Sequence, residues 1–289
     1  MAFADDLRTK AERIEELALE KLIEENETNA TVPEWVSEKE GALSYITGRF
    51  MWFAERDPAD FDSVLDELVG ARDLLTSEVP GGMDAVNTQV SSWYGTAADN
   101  FEENYLNGFQ PRLANQVGVV EELIAAASIL RDMVERSHEN ILGVADGTIA
   151  KLEEYDPDAG NGVNWSMTLT VVGALLSVAA APFSGGTSLA LAFAGGVAGV
   201  ASQSVPEEAQ VAGSSVAEIL GSMHGAIQNV QEAMAAVEED VATELEEDVE
   251  MVSAQVAAAY DKGSSQLVSP RPVLADQQSG TYPDFRPEP

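Results

Sequence analysis

Histidine is the one side chain whose ordinary pKa lies near neutrality, and the sequence has two, His138 and His224, far apart in the chain. No serine or carboxylate pattern fixes either as a general base. Cysteine is absent, which removes thiolate catalysis, disulfides and cysteine metal sites together, and zinc is left without a ligand set. His138 falls between Val134 and Ile141 in a helical seam, where a hydrogen-bonded core histidine is expected, with pH sensing as the alternative. The acidic runs Glu238-Glu239-Asp240 and Glu244-Leu245-Glu246-Glu247-Asp248 carry charge enough for calcium. No glycine-bearing loop would wrap them around an ion, so they read as a solvated helix face. Gly185-Gly186 and Gly195-Gly196-Val197-Ala198-Gly199 lack the lysine and the helix-start setting of a phosphate loop. The residues therefore predict no catalytic group, no cofactor and no metal. They point to a protein that is not an enzyme and that works by helix packing, assembly or membrane contact.

The charge balance narrows the partners. Fifteen Lys and Arg against fifty Asp and Glu give a formal charge of −35 over 289 residues. Such a field repels a phosphate backbone and argues against nucleic acid. It also keeps a protein soluble, and with only five lysines it suits a salt-adapted source. An apolar fraction of 45% is ample for a packed core. The start, Met1-Ala2-Phe3-Ala4-Asp5-Asp6, is acidic where a signal peptide would be basic and then apolar. The expectation is a cytoplasmic protein, or one secreted by a leaderless route without a cleaved signal peptide.

Apolar spacing sets the elements that must do the positioning. Phe3, Leu7, Ile14, Leu17, Leu22 and Ile23 predict an amphipathic helix over residues 3–27, ended by Thr31-Val32-Pro33. Residues 34–56 gather Trp35, Tyr45, Phe50, Trp52 and Phe53; a core patch is the favoured reading and a partner-docking surface the alternative. From Phe61 a helix pattern runs through Val64, Leu65, Leu68, Leu75 and Val79, and Pro80-Gly81-Gly82 is expected to interrupt it. After Trp93-Tyr94-Gly95, Thr96 is a plausible N-cap. Phe101, Tyr105, Phe109, Leu113, Val117, Val120, Ile124, Ala127, Leu130, Val134, Ile141, Ala145 and Leu152 then trace one face, of one long helix or of two joined near Pro111.

Residues 155–162 form a break rich in turn formers, and residues 165–205 carry no charged side chain. This stretch reads as an apolar, glycine-rich helical hairpin, a packing or membrane segment built on Trp165, Leu169, Val172, Leu175, Leu176, Phe183, Leu189, Leu191, Phe193, Gly195 and Gly199. Its limbs of roughly 15 residues fall short of the roughly 20 that cross a bilayer, and small residues four apart allow close helix approach. Beyond Pro206, Val216, Leu220, Met223, Ile227, Val230, Met234, Val237, Val241, Leu245, Val249, Val252 and Val256 form a coiled-coil seam with one stutter near Leu245. Residues 263–289 read as a disordered tail. The expected fold is all-α: an elongated bundle of long antiparallel helices with a central apolar helical hairpin. Its segments divide at 1–58, 59–156, 157–206, 207–262 and 263–289.

Trp93-Tyr94-Gly95, preceded by Val90-Ser91-Ser92 and followed by Thr96-Ala97-Ala98-Asp99-Asn100-Phe101, resembles the turn of the Trp-x-Gly helical-hairpin family exported by type VII (ESX) secretion. The resemblance covers roughly residues 61–155. It implies a four-helix packing unit, a turn that docks against a partner's helix end, and export without a cleaved leader. The family's export signal is a tyrosine followed four residues later by Asp or Glu. None of Tyr45, Tyr94, Tyr105, Tyr155, Tyr260 or Tyr282 has it, so export would need a partner that carries the signal. Two long amphipathic helices around an uncharged segment are also similar in layout to the cytolysin-A-like α-helical pore formers. The functional expectation is a secretion-associated protein acting by self-assembly or partner binding through its seams. The alternative is a conditionally membrane-inserting, pore-forming component that uses residues 165–205.

Overall fold

The computed structural model describes residues 2–26, 33–95, 99, 101–156, 169–170, 208–209, 211, 213–261 and 265–269. Helices account for nearly all of them, so the chain is all-α as expected. In order come α1 (Ala2–Glu25), α2 (Pro33–Leu43), α3 (Tyr45–Ala54), a 3₁₀ turn (Pro58–Phe61), α4 (Asp62–Asp73), a π turn (Leu74–Glu78) and α5 (Val79–Val90). A second π turn (Glu102–Leu106) leads into α6 (Asn107–Glu154), and α7 (Val216–Asp261) is the last helix among the described residues. Between α6 and α7, β1 (Leu169–Thr170) pairs antiparallel with β2 (Glu208–Ala209), Leu169 opposite Ala209. A helical limb was expected at Leu169. Thr170, which is β-branched, suits the extended backbone of the pair.

The chain forms two compact units. One comprises Met1–Asp62, Ile129–Leu175 and Ala201–Glu239, the other Ser63–Ser128, Leu176–Val200 and Asp240–Pro289. In the first unit, α1 buries Leu7, Ala11, Ile14, Leu17 and Ala18, a stripe set by helical periodicity. Phe3 stacks on His138, Lys10 pairs with Asp146 and Arg13 with Glu153, so α1 runs parallel to the second half of α6. α3 returns antiparallel to α1, with the Thr47 amide and hydroxyl both donating to Glu15, at 2.9 and 2.8 Å. α7 starts beside the end of α1, and Glu238 pairs with Arg56 next to His138, so α7 descends antiparallel to α6. The aromatic cluster divides: Phe50 and Phe53 are fully buried core residues, while Tyr45 is exposed. Every one of the largest fully buried side chains among the described residues belongs to this unit, from Leu7 to Ile227.

In the second unit Pro80-Gly81-Gly82 does not interrupt the helix as expected; it lies inside the first turn of α5. A proline ring normally meets the carbonyl four residues back. Here the π turn just upstream relieves that conflict, because the Val79 amide reaches Leu74 O, one residue further than in an α-helix. A π turn also lies upstream of Pro111, where the Asn107 amide bonds Glu102 O, and helix α6 continues through Pro111 as one element of 48 residues.

The seam of α7 is buried from Val216 to Val241, and the expected stutter near Leu245 is absent. The seven-residue repeat continues instead through the half-buried polar residues Asp248 and Gln255, while Val249 and Val256 turn to solvent. Gln255 Oε1 accepts the Gln266 amide at 2.9 Å. Residues 265–269, assigned by composition to the tail, are tied down along α6. Arg112 Nε, Asn115 Nδ2 and Gln116 Nε2 donate to the carbonyls of Ser265, Gln266 and Leu267, and Leu267 is buried. The rest of the expected tail lies outside the described residues.

Candidate functional site: the Trp-x-Gly turn

The turn is built by hydrogen bonds that close α5. The Ser91 amide donates to Asn87 O at 3.0 Å and the Trp93 amide to Val90 O at 2.8 Å. The hydroxyls of Ser91 and Ser92 donate to Thr88 O and Gln89 O, so the last carbonyls of the helix, which have no partner within it, are satisfied from beyond its end. Gly95 then adopts a φ of +97°, a backbone conformation open to glycine and strained for other residues. Its carbonyl accepts the Asp99 amide at 3.2 Å, the first bond of the next helical stretch. Gly95 thus has the positive φ that the expected tight reversal calls for. Thr96, the expected N-cap, lies outside the described residues.

The turn leaves two rings in water: Tyr94 is 94% exposed and Trp93 55%. Trp93 also meets Phe101 at 5.9 Å between ring centroids, and Phe101 stacks on Tyr105 at 5.3 Å. Three aromatic side chains, Trp93, Phe101 and Tyr105, thus form a run of ring contacts, and Tyr94 stands in water next to Trp93 in the chain. Large rigid rings with a polar edge anchor protein interfaces well, because they bury much area at little cost in conformational entropy. What this ledge can do chemically is bind. Among the described residues no group of His, Asp or Glu could hold a metal ion.

His138 belongs to the other unit and is built into the fold. Its Nε2–H reaches two carbonyls at the C-terminal end of α3, Phe53 O at 3.2 Å in the last turn and Arg56 O at 2.9 Å just beyond it, and its ring lies on Phe3 at 3.7 Å. Burial pushes its pKa below the ordinary value, against the opposing pull of the two carbonyls, Asp57 and Glu135. His224 has a buried Nδ1 with no hydrogen-bond partner. Of the acidic run, Asp248 stands apart: burial, then Glu244 and Glu247, raise its carboxyl to about 6. The seam position of Asp248 was missed in the sequence because the apolar pattern was followed through Leu245 and Val249.

Of the predicted site residues, the structure joins Trp93 and Gly95 in the turn. Leu169 has its backbone in β1, and Trp165, Val172, Leu175, Leu176, Phe183, Leu189, Leu191, Phe193, Gly195 and Gly199 lie outside the described residues. No protein-family model matches the chain, and no curated protein or solved structure is significantly similar to it.

Proposed function

We propose that this is a non-enzymatic, secretion-associated helical protein of the type VII kind that acts by binding a protein partner through its Trp-x-Gly turn. The observation that carries the reading is the positive φ of Gly95, which holds Trp93 and Tyr94 exposed at a helix end beside Phe101. Leaderless export in company with the partner follows from the same reading. The test is export from a host with an intact type VII ATPase and from one with it disabled. The protein should reach the medium only in the first, and Trp93→Ala should abolish its export there. Export that ignores both changes overturns the reading.

A second reading, conditional membrane insertion, has two supports. Residues 165–205 are uncharged, and α6 contains a window long and apolar enough to cross a bilayer, 44% of it buried. Flotation with liposomes should show binding at acidic pH and none at neutral pH. Absence of binding at both would eliminate it.

A further inference from the structure

We propose that the outward stripe on the C-terminal half of α7, centred on Val249 and Val256, docks a cationic amphipathic helix of a partner protein. The proposal goes beyond the role of the Trp-x-Gly turn and does not depend on it.

Helix α7 presents two stripes past Val241. The inward one is polar, with Asp248 half-buried and Gln255 bonded to residues 265 and 266. The other runs Leu245, Val249, Val252, Val256, at the 4-3-4 spacing that lines one helix face, with Leu245 and Val252 half-buried beside the polar row and Val249 and Val256 exposed at its outer edge. A helix under no other constraint would turn its apolar stripe inward. Here Val249 is 66% exposed and Val256 37%. Among the described residues, large apolar side chains open to water concentrate in this unit: Val64, Leu74, Val86 and Leu123 join the two valines and the turn, against Tyr45 in the other unit.

Charge selects the occupant. Glu246 and Glu250, both exposed, form the row beside the valines, and α7 contains neither Lys nor Arg over its 46 residues. A second copy of α7 would set carboxylates against carboxylates. The chain's own uncharged segment, residues 165–205, offers nothing to the row of glutamates. A helix with Lys or Arg flanking an apolar stripe satisfies both features, since its apolar side chains cover the valines and its cations face Glu246 and Glu250.

The probe is a helical peptide of about three heptads of Leu and Lys, with a Leu and Glu peptide as its control. A cationic peptide is drawn to so acidic a protein at many points, so the site must be footprinted. The chain has no cysteine, which makes Val249→Cys and Val64→Cys single thiol handles on the full-length protein. In free protein both should react readily with a maleimide. Saturating Lys peptide should slow the thiol at 249 about tenfold or more and leave the thiol at 64 unchanged. In anisotropy titrations, Val249→Ser with Val256→Ser should weaken the Lys peptide at least tenfold, while Trp93→Ala leaves it unaltered. A Trp93→Ala protein that is not exported but still binds the peptide separates the two proposals. The idea is overturned by equal binding of the Glu peptide or equal slowing of both thiols. It is also overturned by protection at 249 in the free monomer, which would assign the stripe to the chain's own segment, or by a dimer that the serine pair dissolves.

Discussion

Tyr155 donates its hydroxyl to the Glu25 carboxylate oxygen that also accepts the Val216 amide at 3.1 Å. One carboxylate thereby ties together the end of α1, the residue after α6 and the first turn of α7. It caps an amide that has no partner within its own helix.

Tyr155→Phe should destabilise the protein by about 1 kcal/mol in urea unfolding, the usual net value of one such bond. Burial, then the bond to Glu25, pushes the Tyr155 pKa up to about 12. A raised pKa gives stability that is complete below the unfolded value of 10.0 and is lost as pH rises through about 12. Wild type should therefore weaken between these pH values more than the Phe variant. Parallel curves for the two proteins would count against the bond.

His138 and Asp248 should give pH dependences of opposite sign. The depressed pKa of His138 supplies stability present above its unfolded value of 6.5 and lost as pH falls through the folded value. His138→Ala should flatten that acid-side loss. The raised pKa of Asp248 supplies stability present below 3.8 and lost as pH rises through about 6. Asp248→Asn should therefore stabilise the protein at pH 7, by about 1 kcal/mol once solvent screening at this half-buried position is allowed for. Urea midpoints at pH 5 and pH 7.5 read both effects.

Gly95→Ala should cost about 1–3 kcal/mol purely as backbone strain, since nothing lies within 4 Å of the added Cβ. Trp93→Ala removes an exposed ring and should change stability by less than about 0.5 kcal/mol. Thermal melts of the two variants separate conformational strain from lost binding surface.

The start of α7 should be sensitive to Ser215→Ala and Gly213→Ala. Ser215 Oγ accepts the Glu218 amide at 3.2 Å, and Glu218 reaches back to the Ser214 amide and hydroxyl, both at 2.7 Å. Loss of the Ser215 cap should cost about 1 kcal/mol. A Cβ on Gly213 would stand 2.6 Å from the Ile219 nitrogen, which is backbone and cannot swing aside. The alanine at 213 should therefore be the more damaging of the two, as read by chemical unfolding.

The helices of the first unit were legible because their apolar residues recur at one period and are buried on one face, as Leu7, Ile14 and Leu17 show. Gly95 was legible for a different reason, since a tight reversal needs a residue that tolerates positive φ. The path of α5 was not, because Pro80 is a reliable stop only where the preceding turn is α-helical, and the π turn is invisible to periodicity. The inward face of α7 past Val241 was hidden because Asp248 and Gln255 share it with the half-buried Leu245 and Val252, while Val249 and Val256 stand at its exposed edge. Periodicity reports where water-avoiding side chains lie, and here they mark only part of the inward face. The ladder at Leu169 was masked by composition that suits helix and strand alike.

The two π turns also fix the rotational phase of the helices that contain them. Each houses one residue more than an α-helical turn, so excising a residue from 102–106 would restore ordinary pitch and swing everything before it by about 100° around the axis. Trp93 and Phe101 would then face a different azimuth. The aim of the aromatic ledge is therefore set by chain length as well as by residue type.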